Sequence, residues 1–466
     1  MRHPLPDLFL VLTNGLKTIA IIGSAIAGPT LALQILSHPI LRHTFTPILF
    51  DSSPSPSDSG SRAGATVGLF ANGLYPLHRL GLESSIKTQG FECGALSTWN
   101  CDYDGGVERL NTQGDLMWSG DLQTGVVYFE RWALQKLLVE KVKELGGEVN
   151  WEKKAVAFTS LDDGTMRVAF EDGTNIATDL LIGADGGYSG VRRFILNQRN
   201  KATAEERWLP DFMGLTGIYG VSTSEQAPSS TAKFSESHLM LLNDGFLATG
   251  PCPQGRTRWD LILPEASPPS SSSPIESDPR PDAEPWQSSM LPSQYPLSST
   301  VDILRQHRNV FHPYAGSLEA LFSSADRIIR TPLRQRIWNQ DEIQWGNVAL
   351  IGDAARLMLP TSGQGTGFAI EDAMVLARSL LKHATSDTKT GIRVALEEYA
   401  RIREPRSKKM GSLAAVAATW STSKSWFWRG LRYYGSKWQR DRPEPRGTNK
   451  DGWPFNERID VDDSTK

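Results

Sequence analysis

Cysteine is scarce: the 466 residues hold only Cys93, Cys101 and Cys252. Three scattered thiols make neither a disulfide framework nor a CxxC metal site, so a reducing, intracellular and cytoplasmic setting is expected. A basic surplus is also lacking. Lys and Arg number 49 against 52 Asp and Glu, a net charge of −3, and no nucleic-acid partner is expected. Long apolar runs are missing as well. The longest candidates, Leu8 to Leu12 and Leu413 to Ala418, fall far short of the roughly 20 residues of a transmembrane segment. Met1-Arg2-His3 before the first run is a faint signal-peptide feature, but Pro4 and Pro6 intervene and no small-residue cleavage site follows. Residues 1–16 are read as an extension without assigned function. Among the eight histidines His307 and His312 form a close pair, but no Cys or carboxylate motif joins them, so no metal is expected. Gly186 to Gly190 lacks the spacing of a serine nucleophile elbow.

What remains is ample for a core: 39% apolar residues and 41 glycines, in a length that suggests about three structural units. Glu265 to Thr300 stands apart, with 8 Pro and 11 Ser in 36 residues and no apolar period. It is read as a disordered Pro/Ser-rich insertion (265–300), and the polar, Pro-broken residues 441–466 as a tail. Lys17 to Gly23, Pro29 to Leu36 and Pro47 to Asp51 read as strand, helix and strand, a βαβ unit that implies an α/β, doubly wound parallel sheet. Arg131 to Leu145 reads as a helix, followed by a hairpin over Val156 to Ser160 and Arg167 to Phe170. Leu180 to Gly183 and Val348 to Gly352 read as further buried strands, so the sheet is assembled from distant segments. Near the end, Arg429, Arg432 and Lys437 alternate with Trp426, Phe427, Trp428, Tyr433, Tyr434 and Trp438. This pattern is read as an amphipathic helix packed on the body, with a basic, aromatic membrane-surface helix as the alternative.

Three glycine motifs close buried strands. Gly23-Ser-Ala25-Ile-Ala-Gly28 follows a strand and opens a helix, the context of a dinucleotide site. Gly23 permits the turn, Gly28 lets the helix pack closely, and Ala25 stands where a third glycine is usual. Asp51 ends the next strand, 23 residues after Gly28, where a carboxylate meets ribose hydroxyls. The second motif is Gly183-Ala-Asp185-Gly186. The third runs from Gly352-Asp353-Ala-Ala-Arg356 through Pro360 and Gly363-Gln364-Gly365 to Glu371-Asp372-Ala373. Here a strand end, a glycine-rich loop and a helix start near Thr366 present a carboxylate for a polyol and amides for negative charge.

In order and separation these motifs resemble the single-component FAD-dependent monooxygenases with the p-hydroxybenzoate hydroxylase fold. That group includes salicylate hydroxylases, tetracycline-modifying enzymes and many secondary-metabolite hydroxylases and epoxidases. The resemblance covers roughly residues 17–410. It implies a Rossmann-like, glutathione-reductase-type FAD-binding domain made of residues 17–90, 126–195 and 340–385. It further implies a β-sheet substrate domain (91–125 and 196–339) and a C-terminal helical region (386–440). It implies FAD as cofactor, with Asp51 on the adenosine ribose, Asp353 on the ribityl chain, and the amides of Gly365, Thr366 and Gly367 beside the flavin pyrimidine edge. Arg62 and Ala65 would lie near the pyrophosphate, Arg131 along the cofactor, and Asp185 in a motif shared between FAD and NAD(P)H binding. The implied reaction uses NAD(P)H and O2 to hydroxylate or epoxidise an apolar or aromatic small molecule. A flavin oxidase or dehydrogenase on the same scaffold, or a non-catalytic flavin-fold binding protein, are the alternatives. Three departures stand out: Arg356 where the family usually has His, Gly367 where many members have Asn, and Tyr219 where salicylate-hydroxylase-like members often have Arg. For Arg356, a contact with an FAD phosphate is the favoured expectation.

Overall fold

A near-continuous apolar run suits a strand buried on both faces, and Lys17-Thr-Ile-Ala-Ile-Ile forms β1 (Lys17–Ile22) inside such a sheet. The computed structural model describes residues 15–56, 66–101, 106–114, 119–120, 122–223, 235–269, 284–384 and 388–439. With β2 (Phe45–Phe50), β3 (Glu148–Asn150), β4 (Leu180–Gly183), β5 (Gln344–Trp345) and β6 (Val348–Leu350), the sheet runs β5-β6-β4-β1-β2-β3. All pairs are parallel except β5 with β6. The helices used below are α1 (Ala27–Ser37), α2 (Ala71–Arg79), α3 (Arg131–Glu144), α4 (Gly190–Arg207), α5 (Gly365–His383), α6 (Thr388–Thr422) and α7 (Trp426–Trp438). Ile19, Leu31, Leu49, Leu138, Ile182, Ile370 and Tyr399 are among the fully covered side chains that join strands and helices in one core. Each such aliphatic side chain contributes about 1.5–3 kcal/mol of burial.

A second, eight-stranded sheet has the order Arg356–Leu357, Ala325–Ile337, Asp211–Thr223, Arg256–Pro264, Phe246–Cys252, Glu236–Leu241, Ala95–Cys101 and Val107–Gln113. Strand side chains alternate between faces. One face carries Ile218, Leu247, Trp259 and Leu261 against Trp286, Leu304 and Phe322. The other carries Leu215, Phe246, Ile262 and Leu333 against Leu359, Ala414 and Ala418. This second face looks toward the loop before α5 and toward α6.

Several expected boundaries move. The Pro/Ser-rich stretch is not one disordered insertion. Residues 270–283 lie outside the described residues, but Trp286 is buried against Phe322, Met290 bridges to Ile328, and Leu297–His307 is a helix. Proline and serine dominate the average composition and hide the few anchors that order its second half. The expected break at 195/196 cuts α4, which runs on past it and, after a kink at Asn200, reaches Arg207. Phe91–Cys93 pairs with Val126–Glu130, beside Thr66–Leu69, in a small separate sheet.

Candidate functional site

The carboxyl ends of β1, β2, β4 and β6 lie side by side, the place where open parallel sheets bind ligands. Gly23 N donates to Phe50 O at 2.7 Å, Ala184 N to Ile22 O at 2.7 Å, and Ile351 N to Gly183 O at 2.9 Å. These bonds bring the three motifs to one edge. At Gly23 φ is +110°, and a Cβ there would stand 2.2 Å from Ala184 O. A Cβ on Gly28 would stand 2.0 Å from Gly23 O. Neither position admits a larger residue, because α1 and β4 crowd the turn. Asp51 ends β2 as expected, with Ser24 N donating to Oδ2 at 2.6 Å and Ser53 N to Oδ1 at 2.9 Å. It holds the first glycine turn and keeps lone pairs for a hydroxyl donor. Ala25 stays partly open at that edge. Asp185 does other work: its Oδ2 accepts from Val191 N at 3.1 Å and anchors the start of α4. Its Oδ1 has no partner, and burial pushes the carboxyl up.

Asp353 follows β6 and reaches solvent, while the protein packed around it pushes its carboxyl above the usual range and the guanidiniums of Arg131, Arg356 and Arg192 pull it back. Among the described residues it has no hydrogen-bond donor, so its acceptor sites face the groove. Arg131 opens α3 and is half-buried. Gly365 begins α5 with nothing within 4 Å of a would-be Cβ, leaving open space before the free amides of a 19-residue helix. Behind it, both amide atoms of Gln364 are buried without partners, as is Ser24 Oγ. An acceptor for a polyol, a cation, a helix N-terminus and orphaned polar atoms along one groove fit FAD. Arg62 and Ala65 lie outside the described residues.

Arg356 corrects an expectation. It does not reach into the groove but turns inward, 2% exposed, with Nη1 donating to Asp372. Its partner carboxylate also accepts from Gly352 N at 2.7 Å and from Arg403 Nε at 2.6 Å. Glu371 accepts from Arg403, Arg406 and Asn72, at 2.8, 2.8 and 2.8 Å for the bonds from Nη1, Nε and Nδ2. Burial would raise the Glu371 carboxyl, but these cations and the amide outweigh it and hold it low. This buried network fixes the Gly352-Asp353 turn from behind. Asn72 also explains Gly367: a Cβ there would meet the Asn72 amide at 2.8 Å. The amide at this spot comes from α2. Arg192 adds another brace, donating to Ala354 O at 2.9 Å while stacking 3.7 Å from the Trp338 ring.

Across from the groove, the inner face of the larger sheet places Tyr219, Asp260, Ala248 and Leu239 in one cross-strand row. Tyr219 lies back over Gly217, whose Cβ would meet its hydroxyl at 2.3 Å, and burial pushes its phenol up. Asp260 is 22% exposed, and Arg258 Nη1 donates to its Oδ2 at 3.1 Å. Burial pushes this carboxyl up to about 6, against the pull of Arg258. Arg258 is itself stacked 3.9 Å from the Tyr128 ring, and Arg256 and Arg327 both pair with Glu130. The sequence reading missed Asp260, Asn72 and Arg403, and named Asp372 only as part of the third motif, without a role. Only the two arginines three apart on α6, Arg403 and Arg406, offered a signal: cations on one helical face need carboxylates opposite.

A family model for an FAD binding domain matches residues 319–414. A 6-methylsalicylate 1-monooxygenase of Aspergillus terreus is 25% identical over 415 residues, covering 84% of this chain and 80% of the relative. A 3-amino-4-hydroxybenzoate 2-monooxygenase of Streptomyces platensis is 25% identical over 408 residues, covering 86% and 87%. Among solved structures, Klebsiella pneumoniae HpxO complexed with FAD and uric acid matches with a TM-score of 0.67 at 18% identity, over 92% of this chain and 95% of that one. A salicylate hydroxylase substrate complex matches with 0.62 at 20% identity, over 91% and 95%. The structural likeness establishes the fold. The motif order, the groove and the relatives spanning more than four fifths of the chain together support a single-component FAD-dependent monooxygenase.

Proposed function

We propose that the chain inserts one oxygen atom from O2 into a neutral, electron-rich aromatic small molecule, a phenol or an arylamine, with NAD(P)H as reductant. The carrying observation is the charge of the inner sheet face. Its guanidiniums Arg256, Arg258 and Arg327 are each engaged with a carboxylate, and the acid left partly open is Asp260. A benzoate would meet an anion there, whereas a phenolic O–H or an aryl N–H would meet an acceptor. Bound FAD would take up the reducing equivalents and deliver the oxygen atom. Asp353, Arg131 and the α5 amides hold the cofactor in this reading, and Asp260 receives the substrate proton through its carboxylate oxygen. Leu239, Ala248, Phe246 and Met213 keep that face apolar and dry. The relatives' names, 6-methylsalicylate 1-monooxygenase among them, support an aromatic substrate and a place in secondary metabolism. Cys93, Cys101 and Cys252 are buried as thiols, with no disulfide among the described residues, which supports a reducing compartment such as the cytoplasm.

The test is NAD(P)H consumption with matched phenols, arylamines and benzoates, with product mass read under isotope-labelled O2. Stimulation by the neutral compounds with one labelled oxygen in product is expected. Oxidised product without label would indicate an oxidase or dehydrogenase. A clear preference for benzoates would remove Asp260 from the substrate site.

A further inference from the structure

From Pro405 to Arg440 the sequence contains no Asp or Glu and eight cations: Arg406, Lys408, Lys409, Lys424, Arg429, Arg432, Lys437 and Arg440. Helix α7 occupies the end of this stretch, and it is turned inside out. Its polar side is docked. Arg432 is buried and donates to Trp420 O at 3.2 Å and to Ser421 O, while Ser436 O accepts from Asn111 Nδ2 at 2.6 Å. Tyr433 Oη and Lys437 Nζ both donate to Glu108 at 2.7 Å, and Arg429 reaches Asn243. Residues 429, 432, 433 and 436 repeat at helical spacing, so one face is bonded to the body.

The opposite face repeats the same spacing with Phe427, Leu431, Tyr434 and Trp438, which are 56%, 48%, 70% and 92% exposed, and Trp426 beside them is 85% exposed. A surface helix in water turns its apolar stripe inward. An outward row of large aromatics rimmed by cations is the arrangement of helices that lie in a lipid interface, where Trp and Tyr settle at headgroup depth and Lys and Arg meet anionic headgroups. A second copy of this chain suits the face poorly, because a two-fold contact would set a helix that carries cations and no carboxylate of its own against itself.

We propose that α7 docks the enzyme on an anionic lipid bilayer surface, with Trp426, Phe427, Leu431, Tyr434 and Trp438 entering the interface and the exposed Lys424 at its start meeting the headgroups. The basic residues attract the surface by roughly 1 kcal/mol each near it, a pull that falls off within a Debye length, so binding depends on salt. No residue of the cofactor groove or of the inner sheet face takes part.

The experiment uses the full-length, FAD-loaded protein and vesicles of phosphatidylcholine with or without phosphatidylserine, read by co-sedimentation and by quenching of tryptophan fluorescence with brominated lipid. Expected are binding to phosphatidylserine-containing vesicles, loss at high salt, and a fall of vesicle affinity on the order of tenfold for the Trp426→Ser, Trp438→Ser double variant. Lys424→Glu should weaken binding without changing the thermal midpoint or turnover with a water-soluble substrate. No binding to either vesicle overturns the proposal, as does binding indifferent to these substitutions. A concentration-dependent dimer that the double variant dissolves, without vesicle binding, shows that a second copy covers the face. Vesicle binding seen only after removal of residues 441–466 shows that the tail covers it. Both results also overturn the proposal.

Discussion

Asp372→Asn tests whether the buried network, and not the local glycine turn, holds the cofactor carboxylate in place. Asp372 is fully buried and accepts from Gly352 N at 2.7 Å, from Arg403 Nε at 2.6 Å and from Arg356 Nη1. An amide can accept through one atom only, and its NH2 group would face a guanidinium. Two charge-assisted bonds, about 1.5–3 kcal/mol each, are weakened together, and among the described residues Arg356 keeps no other carboxylate within bonding distance. A loss of about 3–5 kcal/mol is expected for breaking such a buried pair, and a fall of the apoprotein midpoint of about 3–5 °C. Since the Gly352 amide is released, FAD affinity should fall too. Asp353→Asn supplies the contrast: it faces the groove without a protein donor, so it should lower FAD affinity by roughly 1.5–3 kcal/mol and leave the apoprotein midpoint nearly unchanged. Calorimetry of the apoproteins with FAD titration separates the two. An Asp372→Asn apoprotein as stable as the parent would refute the scaffold argument. A large apoprotein loss for Asp353→Asn would show that this carboxylate is structural.

Three further outcomes are expected. Asp260 ionises at about 6 in the free enzyme, so kcat/KM for a phenol should decline as pH falls through that value. Asp260→Asn should remove that limb and cost on the order of 10²–10⁴ in rate; an unchanged acid limb contradicts the role. Asn72→Ala should weaken the hold on Glu371, and Gly367→Asn should clash with Asn72, yet the double variant should be more stable than the two single changes predict by addition, because truncating Asn72 opens the space that the new side chain at 367 fills; strict additivity of the midpoints argues against this account. Replacing residues 270–283 by a short Gly/Ser linker should leave FAD content unchanged, since loop closure varies by only about 0.6 kcal/mol per doubling of length, whereas Trp286→Ala should cost about 3–5 kcal/mol in a melting curve.

The strands and turns that carry cofactor chemistry were legible because backbone geometry leaves a direct mark in sequence. Gly23 and Gly28 are required by contacts of 2.2 and 2.0 Å, and Asp51 and Asp353 sit at strand ends that apolar runs announce. Arg356 was misread because its environment is made by distant residues: Asp372 lies 16 residues on and Arg403 a further 31 beyond Asp372, and no local pattern reports that all three meet. Asn72 is farther still, 299 residues from Glu371. Asp260 escaped notice for another reason. A carboxylate within an alternating strand looks like a solvated residue until the partner strands are known, and only the register with Tyr219 and Ala248 shows that it faces inward.

The stretch from Gly352 to Asp372 explains why so much of the resemblance concentrates there. Gly352 is held by Asp372, Arg356-Leu357 pairs as a strand with Arg336-Ile337 of the larger sheet, and Leu359 joins the apolar cluster on that sheet's inner face. Thr361 Oγ1 then donates to Ala414 O at 2.7 Å on α6, and Gly365 opens the helix whose amides face the groove. One short segment therefore touches the cofactor turn, the substrate sheet and the C-terminal helix. A displacement of any one of them must be transmitted to the others, because buried ion pairs and strand pairing have discrete arrangements and not a continuum. The segment can thus vary little, while the surfaces on either side, the inner sheet row at Tyr219 and Asp260 and the outward face of α7, are free to set what is oxidised and where the enzyme works.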